Sequence, residues 1–86
     1  MHITKQAMAG TLESSDCLVV VSPAGALEVE LDSVAKKRFG AHLDALIHET
    51  LAALAVESGR ITITDRGALD YCLKARITSA VQRSMI

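Results

Sequence analysis

Two adjacent hydroxyl groups, those of Ser14 and Ser15, are the side chains best placed by type and spacing to take part in chemistry. They lie in a short polar break, with Glu13 before them and Asp16 after them, and the apolar run Cys17–Val21 follows. A serine in such a break is expected at an exposed turn tip that another protein can reach. No His or Lys lies close in sequence to act as a base for either serine. The pattern therefore predicts a serine that another enzyme modifies and not a catalytic nucleophile.

A plainer role for Ser14 stays open at this point. By spacing alone it is most simply a turn serine whose hydroxyl bonds a nearby backbone amide. Ser15 fits that role better still, as a local hydrogen-bonding partner that holds the tip open. Glu13 and Asp16 are either solvated charges or part of what a modifying enzyme grips.

The cysteine and histidine residues do not predict a metal site. Cys17 and Cys72 each lie in an apolar-rich segment, which favours buried, reduced thiols. His42 and His48 are six residues apart on one predicted helix, so their side chains point to different faces. Neither a CxxC spacing nor a His/Cys cluster is present, and no zinc site is expected.

The elements that must position Ser14 are predicted from periodicity and turn residues. Strands are expected at 7–13, 17–21, 26–31 and 60–64, and helices from Val34 to about Ser58 and again after Asp65, which can cap the second helix. The βββαβα order predicts an α+β two-layer sandwich, with a mostly antiparallel sheet and both helices packed on one face. The first three strands are expected to form an antiparallel meander that places Ser14–Asp16 and the Ser22–Gly25 turn at opposite ends of the sheet.

Size and composition limit the classes of function. With 86 residues, one domain spanning 1–86 is expected, and half of the residues are apolar with a single Phe and a single Tyr, so the core must be aliphatic. A net charge of -1 argues against a nucleic-acid partner. No apolar stretch is long enough to cross a membrane, and the first residues lack a secretory pattern, so a cytoplasmic location is expected.

Three segments of the chain resemble the citrate lyase acyl carrier protein family, the gamma chain of that enzyme. Residues 9–16 read AGTLESSD and are similar to the family's attachment motif. Residues 32–40 are similar to the entry of its long helix, and residues 65–76 to the start of its last helix. The resemblance covers about residues 7–80. It implies that Ser14 carries 2'-(5''-phosphoribosyl)-3'-dephospho-coenzyme A through a phosphodiester bond.

The resemblance also implies the role and the partners. A dedicated prosthetic-group transferase would attach the group to Ser14 with release of pyrophosphate. The terminal thiol of the group would carry acetyl and citryl groups between an acyl transferase subunit (alpha) and a citryl lyase subunit (beta). The chain would then be a non-catalytic carrier, with no turnover on its own.

Three alternatives remain. The acyl carrier of malonate decarboxylase is similar and uses the same kind of prosthetic group. A small α+β phosphocarrier would need a reactive histidine at a helix start, whereas His42 and His48 are expected inside a helix. A plain interaction module would carry no covalent group. Fatty-acid acyl carriers match poorly, because their serine opens a helix in an all-helical bundle.

Basic residues of the C-terminal third allow two interpretations. Arg66, Lys74 and Arg76 could form local ion pairs, or one of them could steady the phosphates of the implied prosthetic group. No local pattern places any of the three near Ser14.

Overall fold

The computed structural model describes residues 1–86 and has the predicted βββαβα order. The elements are β1 (Ala7–Gly10), β2 (Cys17–Ser22), β3 (Leu27–Ser33), α1 (Lys36–Ala53), β4 (Gly59–Asp65) and α2 (Asp70–Ser84). The α+β sandwich is therefore confirmed. Neither helix is long and apolar enough to cross a membrane.

The four strands form one mixed sheet in the order β1-β2-β4-β3. β1 pairs with β2 and β2 pairs with β4 in antiparallel fashion, whereas β3 and β4 are parallel. The mostly antiparallel sheet is confirmed, but the meander is wrong for β3, because β4 lies between β2 and β3. The reason is visible in the strands. β4, in which four of seven residues are buried, is paired along both edges, while β3, with Glu28, Glu30 and Asp32 and no buried residue, takes an edge position that charged side chains tolerate.

Both helices pack on the same face of the sheet, as predicted. The alternate residues of β2 and β4 that face them are fully buried, as are Leu73 and Ile77 of α2 and Ile47 and Leu51 of α1. α2 contacts β1 and β2, while α1 contacts β3. The core is aliphatic, and its fifteen buried residues are Ile3, Ala9, Cys17, Val19, Val21, Leu43, Ile47, Leu51, Val56, Ile61, Ile63, Leu73, Ile77, Ala80 and Val81.

Strand register brings three connecting segments to one end of the sheet. Cys17 at the start of β2 pairs with Asp65 at the end of β4, and Asp65 pairs with Ser33 at the end of β3. The loop 11–16 and the segments 34–35 and 66–69 consequently share this end, which we call the serine end. Ser22 pairs with Arg60 at the other end of the sheet, so the predicted separation of the two turns is confirmed.

Helix ends differ from the sequence expectation for local reasons. α1 ends at Ala53, before Ser58, because Ala55 takes a left-handed conformation with φ 58° and the Val56 amide donates to the Leu51 carbonyl oxygen. Asp65 does not cap α2 directly. Its buried carboxylate accepts hydrogen bonds from the amides of Gly67 and Ala68, forming a turn, and the helix begins only at Asp70.

Candidate functional site

Ser14 lies at the tip of the loop that joins β1 to β2, at the serine end. Its side chain is exposed and its hydroxyl makes no hydrogen bond within the chain. Thr11 makes the local hydrogen bonds that were expected of a turn serine. Its hydroxyl accepts a hydrogen bond from the Glu13 amide at 3.2 Å and donates one to the Asp16 carboxylate at 2.7 Å. The expectation that the Ser15 hydroxyl does this is therefore wrong. Ser15 instead shapes the loop through its backbone, which takes the left-handed conformation with φ 66°.

Asp16 anchors the loop to α2. The Arg76 guanidinium donates from Nε and Nη2 to the two carboxylate oxygens at 3.1 and 2.9 Å, and the Cys17 amide donates at 2.7 Å. The Asp16 side chain is only 14% exposed. The hydrogen bonds from Arg76, Thr11 and Cys17 hold the pKa of Asp16 well below its ordinary range, and the same ion pair raises the pKa of Arg76. Asp16 is thus a structural anchor and not a free surface charge.

A second anchor ties the loop to the segment after β4. The Ser15 amide donates to the Arg66 carbonyl oxygen at 2.9 Å, and the Arg66 amide donates to the Asp16 carbonyl oxygen at 2.8 Å. These two main-chain bonds hold Ser15 and Asp16, the two residues that follow Ser14. The serine is consequently exposed on a loop whose base is held on two sides.

Gly10 permits the close approach of the two strands below the loop. It has φ +99°, a conformation that L side chains rarely adopt. A Cβ at this position would overlap the Cys17 carbonyl oxygen and lie 3.0 Å from the carbonyl carbon. The Thr11 amide donates to that same oxygen at 3.2 Å, so β1 ends here and the chain turns toward Ser14.

Two cysteines form the floor under Asp16. The ligand atoms of Asp16, Cys17 and Cys72 lie within 4.8 Å of one another. Burial is the main factor that raises the pKa of Cys17 to about 12, so its thiol is protonated at neutral pH. Arg76 already neutralises the Asp16 carboxylate, and a cation would have to displace it. These donors are poorly suited to a metal ion.

A groove of about 350 Å³ lies beside the site, between the first turns of the two helices. His42 Nε2 lies 2.6 Å from an Asp70 carboxylate oxygen at its edge. His48 lies 3.5 Å from Asp44 on the same helix. Both histidines are inside α1, as expected, but the helix is kinked at Phe39 (φ -123°, ψ 16°), and His42 lies in the first turn after this kink.

The structure brings Ser14, Ser15, Glu13, Asp16 and both arginines together at the serine end. Lys74 does not join them, because it lines a separate hollow between the two helices. The sequence interpretation did not identify Thr11 as the loop's hydrogen-bonding hydroxyl or Arg76 as the partner of Asp16. Thr11 lies in the recognised motif, whereas Arg76 is 60 residues from Asp16 and no local pattern indicates the contact.

Comparison with known proteins identifies the group to which this chain belongs. The family model described as "ACP: Malonate decarboxylase delta subunit (MdcD)" matches residues 4–84. The citrate lyase acyl carrier protein of Pectobacterium carotovorum is 49% identical over 85 residues, covering 98% of this chain and 88% of that protein. Those of Albidiferax ferrireducens and Haemophilus influenzae are 47% and 44% identical, with 99% and 98% of this chain covered and 89% and 88% of theirs.

Among solved structures, a chain of a Pseudomonas malonate decarboxylase hetero-tetramer in complex with malonate has the same fold. Its TM-score is 0.86 with 16% sequence identity, and the match covers 98% of this chain and 88% of that chain. At this identity the likeness shows the fold alone. The near full-length identity to the named relatives shows more: this chain belongs to the citrate lyase acyl carrier protein family.

Proposed function

We propose that this chain is the acyl carrier subunit of a citrate lyase, a single carrier domain that works in the cytoplasm without catalytic turnover of its own. The observation that carries the proposal is the Ser14 hydroxyl, which is exposed and free of internal hydrogen bonds on a loop held at its base. The resemblance of residues 9–16 to the family's attachment motif implies that this position bears the prosthetic group.

The residues present suit covalent attachment of 2'-(5''-phosphoribosyl)-3'-dephospho-coenzyme A at Ser14. A bulky nucleotide requires an oxygen that neither the sheet nor a helix covers, and the tip of this loop satisfies that requirement. In the attachment step, the Ser14 oxygen would attack the phosphorus of an activated precursor of the group that carries a pyrophosphate leaving group. The bond between that phosphorus and pyrophosphate would break, pyrophosphate would leave, and the hydroxyl proton would pass to a base of the transferase. No base in this chain is in hydrogen-bonding contact with Ser14, so the transferase must supply it.

The chain's own contribution is tethering. When bound, the group supplies a terminal thiol that carries acyl groups as thioesters. A group attached to Ser14 meets the active sites of partner subunits at a high effective concentration, since the encounter is intramolecular once the complex has assembled. The Asp16–Arg76 ion pair and the Arg66 main-chain bonds hold the loop outward, so attachment need not unfold it.

Three partners follow from this proposal. They are the prosthetic-group transferase, an alpha subunit that transfers the acyl group and a beta subunit that cleaves the citryl thioester. Citrate cleavage would yield oxaloacetate and leave the carrier acetylated for the next cycle.

The test is co-expression with a prosthetic-group transferase of a citrate lyase, followed by intact-mass measurement. Wild-type chain should gain the mass of one phosphoribosyl-dephospho-coenzyme A. Ser14→Ala should gain nothing, and the matched neighbour variant Ser15→Ala should be modified like the wild type. An unmodified wild type would instead favour a plain interaction module, and an increment of phosphate size on a histidine would favour a phosphocarrier.

A second candidate is the acyl carrier of malonate decarboxylase, which the description of the family model favours. Both candidates use Ser14 in the same way and differ in their partner subunits. Reconstitution separates them. The modified chain should restore citrate cleavage to carrier-free citrate lyase subunits and should not restore malonate decarboxylation to carrier-free decarboxylase subunits. The reverse outcome would establish the second candidate.

A further inference from the structure

We propose that Arg66 is a positioning residue for the group on Ser14, and that its guanidinium pairs with the phosphodiester that joins this group to the protein. The inference rests on the proposed function and deepens it, because it assigns a residue outside the attachment loop to the first phosphate of the arm.

Backbone geometry places Arg66 next to the attachment point. Its carbonyl oxygen accepts from the Ser15 amide and its amide donates to the Asp16 carbonyl, at 2.9 and 2.8 Å. With standard bond lengths, the first of these bonds keeps the Cα atoms of Ser14 and Arg66 within about 8 Å of each other. An arginine side chain extends far enough from its Cα to reach a phosphate on the neighbouring serine.

The charge of Arg66 is free for this purpose. Its side chain is exposed and forms no salt bridge with a carboxylate of the chain. Arg76, the other arginine in contact with the loop, is already bound through two nitrogens to Asp16. Of the candidates Arg66, Lys74 and Arg76, only Arg66 is both adjacent to Ser14 and unpaired.

The local charge balance gives the pairing a physical purpose. Glu13 precedes Ser14, is exposed and has no cationic partner in the chain. A phosphodiester on Ser14 adds a second negative charge beside it. The planar guanidinium can donate two parallel hydrogen bonds to a phosphate, which would offset this repulsion and restrict the direction in which the arm leaves the loop.

NMR of the modified carrier tests the proposal without an activity assay. The phosphodiester ³¹P resonance and the Arg66 Nε–Hε resonance are followed before and after modification. Because both main-chain bonds survive a side-chain substitution, Arg66→Gln should keep the fold and melting temperature. The Arg66→Gln variant should also have a narrower and shifted ³¹P resonance, because the phosphodiester loses the guanidinium that restricts its motion. Arg66→Lys should restore part of the wild-type shift, and Lys5→Gln, an equal loss of charge two residues before β1, should leave it unchanged.

Salt gives a second criterion. The modification-dependent shift of the Arg66 Nε–Hε resonance should decrease steeply between 0.05 and about 1 M salt, where the screening length falls to about 3 Å. Fully modified carrier with an Arg66 resonance identical to that of the unmodified chain, or with the same ³¹P signal in Arg66→Gln, overturns the Arg66 assignment alone. Failure of the wild type to take up any phosphorus-containing group overturns the proposed function and, with it, this inference.

Discussion

Replacing Gly10 by alanine tests the local geometry that presents Ser14. At φ +99° an L residue carries a steric cost of about 1–2 kcal/mol. The new Cβ also overlaps the Cys17 carbonyl oxygen, so the two strands must separate. This separation weakens the 3.2 Å hydrogen bond from the Thr11 amide to that oxygen, a loss of about 1 kcal/mol.

The two effects together predict a decrease of about 2–3 kcal/mol in the free energy of unfolding of the Gly10→Ala variant. For a domain of this size each kcal/mol lowers the melting temperature by about 4–8 °C, so a decrease on the order of 10–25 °C is expected. Urea unfolding and thermal melting followed by circular dichroism measure both quantities. The same displacement of the loop base should slow modification of Ser14 by the transferase.

Gly25→Ala is the matched control. Gly25 lies in the turn at the opposite end of the sheet, has no left-handed φ, and has nothing within 4 Å of a Cβ built there. Its substitution should change the free energy of unfolding by no more than about 0.5 kcal/mol. If Gly10→Ala were as stable as Gly25→Ala, within about 1 kcal/mol, the described approach of Gly10 to Cys17 would be refuted.

Two further predictions concern titration. The pKa of Cys17 is raised from 9.0 to about 12, so between these pH values the folded state keeps a proton that the unfolded state loses. The free energy of unfolding should therefore fall as the pH rises from about 9 to 12, with a slope of up to about 1.4 kcal/mol per pH unit. In urea titrations Cys17→Ala should lack this component, and parallel alkaline profiles for the two proteins would contradict it. The pKa of Asp16 is instead lowered from 3.8, so its contribution is present above about pH 4 and lost as pH falls below that value. Asp16→Asn should therefore be less stable at pH 7 and show a flatter acid limb; an acid limb as steep as that of the wild type would count against the ion pair with Arg76.

Local sequence patterns were sufficient to predict the type and order of the elements, although the first strand, expected at 7–13, ends at Gly10. The runs at 17–21 and 60–64 alternate in burial as β-branched strands do, and the observed β2 and β4 differ from these ranges by one residue at each altered end. The strand order could not be predicted in the same way. A meander and a sheet with β4 inserted satisfy the same local alternation, and the choice depends on which long strand gains partners on both edges.

The site divides in the same manner. The position of Ser14 at an exposed tip followed from the polar break before Cys17 and from a recognisable motif. The contacts that hold the tip did not, since Asp16 and Arg76 are 60 residues apart and the Arg66 contact uses only main-chain atoms. Contacts between residues far apart in sequence produce no periodic pattern in a single sequence. The positions of Arg76 beside Asp16 and of Arg66 beside Ser14 could therefore be recognised only once the fold was known.

The attachment residue is the central claim, and locating the group within the modified chain tests it most directly. Trypsin releases residues 6–36 as one peptide, because no Lys or Arg lies between Lys5 and Lys36. Fragmentation of this peptide from transferase-treated carrier should place the whole phosphoribosyl-dephospho-coenzyme A increment on Ser14. An increment found on Ser15, or a peptide that remains unmodified after treatment with an active transferase, would contradict the account.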